Sequence, residues 1–154
     1  MAKGDPLLKK TQYILIMDTN QLGKITELDV LSYVMKQGYS VSIPFGDKDR
    51  YDQIWDINGK LFKVQVKTCR PIDEDITGII FNCRTTYSRN GGCKTHHYTS
   101  DEIDYFATIW NNQVYVVPVN ECSDKKTLRF SSKQKQPNIA WAENYKFEEV
   151  VKNI

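Results

Sequence analysis

Apolar positions recur along the first half of the chain in patterns that predict one helix followed by several strands. Five apolar residues are spaced as on one face of a helix: Ile25, Leu28, Leu31, Val34 and Met35. Gly38 would end this helix. Alternating apolar and polar residues then favour strands at residues 41–45, in two runs that meet at Asn58-Gly59, and within residues 77–86. Asn-Gly between such runs is the strongest short signal for a β-hairpin.

The second half predicts further elements. Ser100-Asp101-Glu102 is typical of a helix start, with a capping serine and acids in the first turn, so residues 100–110 are predicted to be helical. Residues 87–99 are interpreted as a Gly-rich basic loop, and the apolar run at 114–119 as a buried strand. Residues 123–137 predict a strand near Leu128 followed by a polar loop, and a final amphipathic helix begins at about Asn138.

The resulting order, α-β-β-β-β-α-β-α, predicts the fold class and the domain organisation. Alternating helices and strands of this kind form an α/β (α+β) fold, in which helices flank a mixed central β-sheet. The length of 154 residues corresponds to one domain, residues 1–154. Residues 1–20, with a short apolar run at 13–17, are expected to form an N-terminal arm available for contacts between subunits.

The distribution of charge is more informative than its sum. A net charge of +2 does not indicate a nucleic-acid partner, and a solvated mixed surface would give the same value. Lys and Arg nevertheless concentrate around the predicted hairpin and in two later segments, whereas acids gather at residues 73–75 and 101–104. A basic face opposed by acidic patches can bind phosphates at modest net charge.

No segment predicts export or membrane insertion. Residues 1–6 are polar, and the apolar run at 13–17 is too short for a signal peptide or a bilayer span. We therefore expect an intracellular, cytoplasmic protein without membrane contact, whose four cysteines stay reduced. Cys93, His96 and His97 have tolerable zinc-ligand spacing, but no Cys-x-x-Cys pair completes such a site. The two histidines are expected to contact phosphate or solvent instead.

Candidate chemistry concentrates on the predicted hairpin. Because strand side chains alternate between faces, Lys63, Gln65 and Lys67 share a polar face. Asp52 on the partner strand is a hard oxygen ligand of the kind that Mg²⁺ prefers, and Gln65 or the backbone carbonyl of Val66 could add neutral oxygens. Lys67 could orient the attacking water and offset charge on the reacting phosphate. Taken singly, each of these residues is equally compatible with an ordinary solvated surface.

These segments resemble the PD-(D/E)xK nuclease superfamily and, more narrowly, its group I intron-encoded homing endonuclease branch. The resemblance rests on residues 46–52 and 59–68, with later landmarks at 103–106, 114–119 and 141–145, and it spans residues 22–146. It implies a restriction-endonuclease-like core that hydrolyses DNA phosphodiesters with Mg²⁺, for which Mn²⁺ is expected to substitute.

The resemblance also implies roles for individual residues. It assigns Glu27 to the helix acid, Asp52 to the central aspartate, Gln65 to the (D/E) position and Lys67 to the lysine. Without the hairpin, Glu27 would be interpreted as a surface residue beside the core; near Asp52 it becomes an outer metal ligand. Gln65 is the departure from the motif. Its carboxamide removes one negative charge from the site, which predicts weaker metal affinity.

The resemblance further implies a double-stranded DNA substrate and a homo-oligomer. One small domain buries only roughly 600–1,000 Å² on DNA, so reading a long site requires a symmetric dimer or tetramer. Arg84 and Arg89 are expected to read guanine edges, while lysines follow phosphates. The expected DNA contacts are basic or histidine side chains: Arg50, Lys63, Arg84, Arg89, Lys94, His96, His97, Lys125, Lys126, Lys133 and Lys135.

Three alternative functions stay open at this point. A Holliday-junction resolvase would have the same core but would recognise shape rather than sequence. A DNA-binding module with an inactive site is suggested by Gln65. An RNA-processing factor is a third alternative, although the chain has no aromatic RNA-binding motif. The chain also has no Walker loop, nucleophile elbow or dinucleotide fingerprint, which sets those enzyme classes aside.

Overall fold

The computed structural model describes residues 18–46, 48–133 and 137–154, and of Arg89 it describes the backbone alone. Residues 1–17, which include most of the predicted N-terminal arm, lie outside these ranges. The elements in chain order are α1 Thr19–Lys36, β1 Ser40–Ser42, β2 Gln53–Ile57, β3 Lys60–Val66, β4 Arg70–Pro71, β5 Gly78–Asn82, β6 Arg84–Arg89, β7 Gly92–His97, β8 Tyr105–Trp110, β9 Gln113–Pro118, β10 Lys125–Arg129 and α2 Phe147–Val151, with 3₁₀ turns at Val119–Glu121 and Ala142–Tyr145. No helix in the described ranges is both long and apolar enough to cross a membrane.

A mixed five-stranded sheet forms the centre of the fold, in the order β1-β2-β3-β8-β9. Adjacent strands in this sheet are antiparallel, except that β3 and β8 are parallel, with Gln65 opposite Phe106. A second sheet, β10-β5-β4, is antiparallel, and β6 and β7 form a two-stranded sheet. The predicted fold class, a mixed central sheet with packed helices, is confirmed.

The central sheet is covered on both faces by hydrophobic cores. One core joins α1 and α2 to the sheet: Val30, Val34, Trp55, Ile57, Val64, Val66, Ala107, Val114, Val116 and Phe147. The other joins the sheet to β5 and β10: Ile79, Phe81, Cys83, Ile103, Phe106, Tyr115, Val117, Val119, Leu128 and Ala142. Because β8 and β9 are covered on both faces, their sequences are apolar at nearly every position.

The first helix forms where the spacing predicts it, but a different face is buried. Thr26, Val30 and Val34 point into the core, whereas Leu28 and Met35 of the predicted stripe are exposed. Positions 26, 30 and 34 also satisfy the i, i+4 spacing, so periodicity alone could not choose between adjacent faces. Glu27 is half-buried and borders the buried face, as expected, because it lies one helical turn before Val30.

The helix predicted over residues 100–110 is wrong. Residues 99–104 form turns, and Tyr105–Trp110 form strand β8, paired on both sides within the central sheet. Phe106 faces one core and Ala107 the other. Because both faces of the strand are buried, the run lacks the alternation of apolar and polar residues that identifies a strand. Asn111 and Asn112, at φ 47° and 60°, form the tight turn into β9.

Three other predicted elements are also corrected. Residues 87–99 contain most of a β-hairpin, β6 and β7, rather than a loop. Strand β1 ends at Ser42, and Ile43 and Phe45 are exposed. The final helix begins at Phe147, not near Asn138, because isolated β-bridges at Trp141 and Lys146 hold the preceding chain extended around a 3₁₀ turn.

Candidate active site

The β2–β3 hairpin places three of the predicted catalytic residues, Asp52, Gln65 and Lys67, on one side of the sheet. Val64 and Val66 of β3 are buried in the core under the helices, so Lys63, Gln65 and Lys67 face the opposite side, as predicted. Asp52 immediately precedes β2, and its N–H donates to the Val64 carbonyl at 2.9 Å. This ladder bond brings the aspartate next to the polar face of β3.

Asp52 lies at the centre of the cluster and is half-buried. Its Oδ2 accepts hydrogen bonds from the Val66 N–H at 2.8 Å and from Gln65 Nε2 at 2.6 Å. The pKa of Asp52 is raised from 3.8 to about 6, chiefly by burial. The Glu27 carboxylate contributes to this rise, whereas the Val66 N–H bond and the Lys67 ammonium oppose it. A raised pKa from burial and a like charge is typical of a functional carboxylate.

Glu27 reaches this cluster from α1, which is fastened to the sheet beneath it. The backbone carbonyl of Glu27 accepts from Gln53 Nε2 at 2.7 Å, and Gln53 Oε1 accepts from Trp55 Nε1 at 2.9 Å. Gln53 is fully buried, so all of its observed hydrogen bonds act within this helix–sheet contact. The Glu27 carboxylate itself accepts from Lys24 Nζ at 2.8 Å. Sequence reasoning missed Gln53, although a glutamine among buried strand residues is unusual enough to have signalled a role.

Lys67 continues the polar face beyond the end of β3. Its N–H donates to the Ala107 carbonyl at 2.8 Å, which extends the pairing of β3 with β8. Its Nζ lies 3.4 Å from Thr85 Oγ1 and 5.1 Å from the centroid of the Tyr98 ring. Neither Thr85 nor Tyr98 was predicted as a site residue. Thr85 fell in the strand predicted within residues 77–86, and Tyr98, which directly follows β7, fell in the segment interpreted as a loop.

The donor atoms of the cluster suit a hard divalent cation. Asp52 and Glu27 supply carboxylates, and the Val66 carbonyl lies 3.5 Å from Gln65 Nε2, at the edge of the same cluster. Mg²⁺ takes one or two carboxylates and completes its shell with waters and substrate phosphates. The mutual repulsion of Asp52 and Glu27, visible in the raised pKa of Asp52, is what such a cation relieves.

Gln65 departs from the role expected of it. Rather than offering an oxygen, its carboxamide nitrogen donates to Asp52 in this structure. A rotation of the amide by 180° would exchange its nitrogen and oxygen. Among the described residues, no three His, Cys, Asp or Glu side chains converge as a metal site. In this cluster, a carboxamide stands where the family motif has a carboxylate.

Several of the expected DNA contacts are held by acidic neighbours. Arg84 lies 3.3 Å from Asp124, and His96 Nε2 donates a hydrogen bond at 2.9 Å to the Glu102 carboxylate. Lys126 pairs with Glu121 and is only 12% exposed. Lys94, Lys125 and Lys133 are exposed. The remaining contacts in the described ranges lie near acidic or aromatic groups: Arg50 by Glu102, Lys63 over Tyr51 and His97 by Asp124.

Two of the expected DNA contacts, Lys135 and the side chain of Arg89, lie outside the described residues. The three residues of the zinc alternative lie on strand β7. His96 and His97 are neighbours on a strand and bind different carboxylates, those of Glu102 and Asp124. Cys93 on the same strand is exposed. These three residues therefore do not converge on a common point in the structure.

Comparisons with known proteins identify the family of the chain and a similar fold. The family described as PD-(D/E)XK endonuclease matches the chain over residues 17–148. A solved structure of a bacterial homing endonuclease, I-Ssp6803I, superposes with a TM-score of 0.73 at 22% identity, covering 89% of this chain and 95% of that chain. At this identity the likeness concerns the fold. No curated protein sequence matches the chain.

Proposed function

The chain belongs to the PD-(D/E)XK endonuclease family, and we propose that it is a Mg²⁺-dependent DNA endonuclease that makes sequence-specific double-strand breaks, as homing endonucleases do. The observation that carries the proposal is the cluster of Asp52, Gln65 and Lys67 at the start of β2 and the end of β3, with the Glu27 carboxylate of α1 near enough to raise the pKa of Asp52. Two carboxylates and a lysine that interact electrostatically match what hydrolysis of a phosphodiester requires.

Each residue of the cluster has a distinct part in this chemistry. Asp52 and Glu27 would hold Mg²⁺, or Mn²⁺ in its place, whose chemistry is to polarise the scissile phosphate and acidify a bound water. The Lys67 ammonium orients the attacking water and offsets the negative charge that develops on the phosphate. The Val66 N–H and Gln65 hold Asp52 in a single orientation, since both donate to the same oxygen.

A double-strand break requires two such clusters, which supports a homo-oligomer. The outward face of α1 carries three apolar side chains, Ile25, Leu28 and Met35, exposed at 38%, 60% and 56%. Exposed apolar surface of this kind is typical of protein interfaces. A symmetric dimer or a tetramer would present two sites to the two strands of one duplex, and we expect it to act in the cytoplasm.

Sequence specificity is proposed to come from the β6–β7 hairpin and the nearby basic segments. The hairpin is exposed along most of its length and carries Arg84 and Lys94. A two-stranded ribbon of this width fits the major groove of DNA, where arginine reads guanine edges and lysine contacts phosphates. Binding DNA would exchange the ion pair between Arg84 and Asp124 for contacts with the nucleic acid.

The direct test is cleavage of a supercoiled plasmid library with Mg²⁺ by wild type, Asp52→Ala and Lys67→Ala. We expect wild type to cut at one or a few sites and both variants to lose cutting. Lys60→Ala is the matched control, because Lys60 is an exposed lysine on the same strand whose Nζ instead donates to the Ile154 carbonyl at 2.9 Å. Specific binding by wild type without any cutting would instead identify a DNA-binding module with an inactive site.

The metal requirement is tested at Gln65. Gln65→Glu restores the carboxylate of the family motif and adds a negative charge beside Asp52. We expect the variant to reach its half-maximal cleavage rate at a lower Mg²⁺ concentration than wild type. Gln65→Met, which keeps a similar volume without a polar end, should shift the requirement the other way. Equal Mg²⁺ dependence in all three proteins would contradict the assignment of Gln65 to the metal site.

A further inference from the structure

The Lys67 side chain is held by groups outside the catalytic cluster. A lysine ammonium is a point charge on a flexible four-carbon stem, so it needs neighbours that fix its position. Among the described residues, the Lys67 ammonium contacts the Thr85 hydroxyl, at 3.4 Å, and the face of the Tyr98 ring, at 5.1 Å from its centroid. Both neighbours are uncharged, so they can hold the ammonium without neutralising it.

Thr85 and Tyr98 are themselves fixed to each other and to the core. Their hydroxyls are hydrogen-bonded at 2.7 Å. The Tyr98 ring packs edge-on against Phe106 at a centroid distance of 5.4 Å, and Phe106 is almost fully buried. Thr85 lies on β6 and pairs with His96 on β7, whose ring also contacts Tyr98 edge-on at 5.5 Å. The base of the β6–β7 hairpin is therefore anchored to the central sheet next to Lys67.

We propose that Thr85 and Tyr98 are positioning residues that hold the Lys67 ammonium in place for cleavage. This inference rests on the proposed function, since it assigns the two residues to the same reaction. It also gives the hairpin two roles: its exposed strands present basic side chains to DNA, and its base positions the catalytic lysine. Because both roles belong to one small sheet, a shift of the hairpin on DNA is transmitted directly to Lys67.

The test separates the chemical step from DNA binding. Single-turnover cleavage, with the enzyme in saturating excess over DNA and with saturating Mg²⁺, is measured for Thr85→Val and Tyr98→Leu, and the Kd for DNA is measured separately without metal. Misplacement of a catalytic group by about 1 Å costs on the order of 100-fold in rate, so we expect losses of about 10- to 100-fold. The Kd should stay within about 2-fold of the wild-type value, because neither side chain is charged.

Conservative variants show whether the specific contacts matter. Thr85→Ser keeps the hydroxyl and should restore the wild-type rate. Tyr98→Phe keeps the ring and loses the bond to Thr85, so its rate should fall between wild type and Tyr98→Leu. Tyr33→Phe is the control for loss of a bonded tyrosine hydroxyl, since Tyr33 contacts Glu148 and Gln113 under the other core. It should lower stability without changing the cleavage rate.

The geometry is also testable in the free protein, independently of cleavage. The Tyr98 ring current should move the NMR signals of the Lys67 ε-methylene protons upfield, and Tyr98→Leu should abolish this shift. Wild-type cleavage rates in Thr85→Val and Tyr98→Leu, with Lys67→Ala inactive, would overturn the positioning roles and leave the proposed function intact. Absence of the upfield shift would overturn them as well, whether or not the protein cuts DNA.

Discussion

Two β-hairpins in the described part of the chain are closed by Asn-Gly and have opposite surroundings. Asn58-Gly59 closes β2–β3 at φ 55° and 83°, and Asn90-Gly91 closes β6–β7 at φ 49° and 77°. These are the two left-handed residues of the tight hairpin turn that Asn-Gly favours. The first hairpin lies in the five-stranded sheet, whereas the second forms a sheet of two strands.

The surroundings determine what each hairpin can do. In β2, Gln53, Trp55 and Ile57 are buried, and this burial fixes the register of the whole hairpin. Its opposite face can therefore hold catalytic side chains in defined positions. In β7 the described side chains are exposed except at His96, so this hairpin can supply contacts but little rigidity. Only its base, where Tyr98 meets Phe106, is anchored to the core.

The largest expected difference between the hairpins is in stability. Trp55→Ala in β2 removes a buried ring that packs on Phe147, and it should lower the free energy of unfolding by about 3–5 kcal/mol. Tyr87→Ala in β6 removes a ring that is 41% exposed, and it should change this free energy by less than about 0.5 kcal/mol. Urea unfolding of both variants measures the two effects. A comparable loss in both would mean that the β6–β7 hairpin is part of the core.

The pH dependence of stability should differ in sign between the two regions. Because the folded pKa of Asp52 is about 6, above its ordinary 3.8, wild type should lose stability relative to Asp52→Asn as pH rises from 3.8 to 6. A pKa difference of about two between the folded and unfolded states corresponds to at most about 3 kcal/mol in the free energy of unfolding. Metal-free protein is used for these unfolding measurements.

Glu102, at the foot of the second hairpin, provides the opposite case. Its partial desolvation is outweighed by hydrogen bonds from the Thr99 N–H and from His96, so its pKa is lowered from 4.5. Wild type should therefore lose stability relative to Glu102→Gln as pH falls below 4.5. Parallel slopes for the Asp52 and Glu102 variants would contradict the assigned environments.

A smaller effect is expected on DNA binding. Lys94→Ala in the exposed hairpin should reduce the slope of log affinity against log salt concentration by about one, because one phosphate contact is lost. Lys60→Ala in the first hairpin should leave the slope unchanged. Fluorescence anisotropy titrations at several salt concentrations measure both slopes. An unchanged slope for Lys94→Ala would place the DNA on another surface.

The last and smallest difference is in stability and concerns the turns that close the two hairpins. Gly59→Ala and Gly91→Ala each place a side chain at positive φ, and the added Cβ meets no atom within 4 Å in either turn. The local cost is therefore backbone strain of about 1 kcal/mol in both. Gly59→Ala should lower global stability, whereas Gly91→Ala should only accelerate amide hydrogen exchange within β6 and β7. An equal shift in the unfolding midpoint would contradict this difference.

Local patterns predicted the parts of the fold that are covered on one face. The helix at α1, the hairpin at Asn58-Gly59 and the polar face carrying Gln65 and Lys67 follow from spacing and alternation alone. Strand β8 was mistaken for a helix because both of its faces are buried, which removes the alternation that identifies a strand. The β6–β7 hairpin was missed for the opposite reason, since neither of its faces is regularly apolar.

Local sequence is enough to show which groups are available for chemistry and where the first hairpin turns. The spacing from Gln65 to Lys67 is a property of any strand, and Asn-Gly favours the hairpin turn without any tertiary contact. Three features depend on the folded protein: Gln53 fastens α1 beneath Glu27, burial raises the pKa of Asp52, and Thr85 and Tyr98 contact Lys67. These contacts join residues far apart in the chain, and their geometry exists only once both faces of the central sheet are covered.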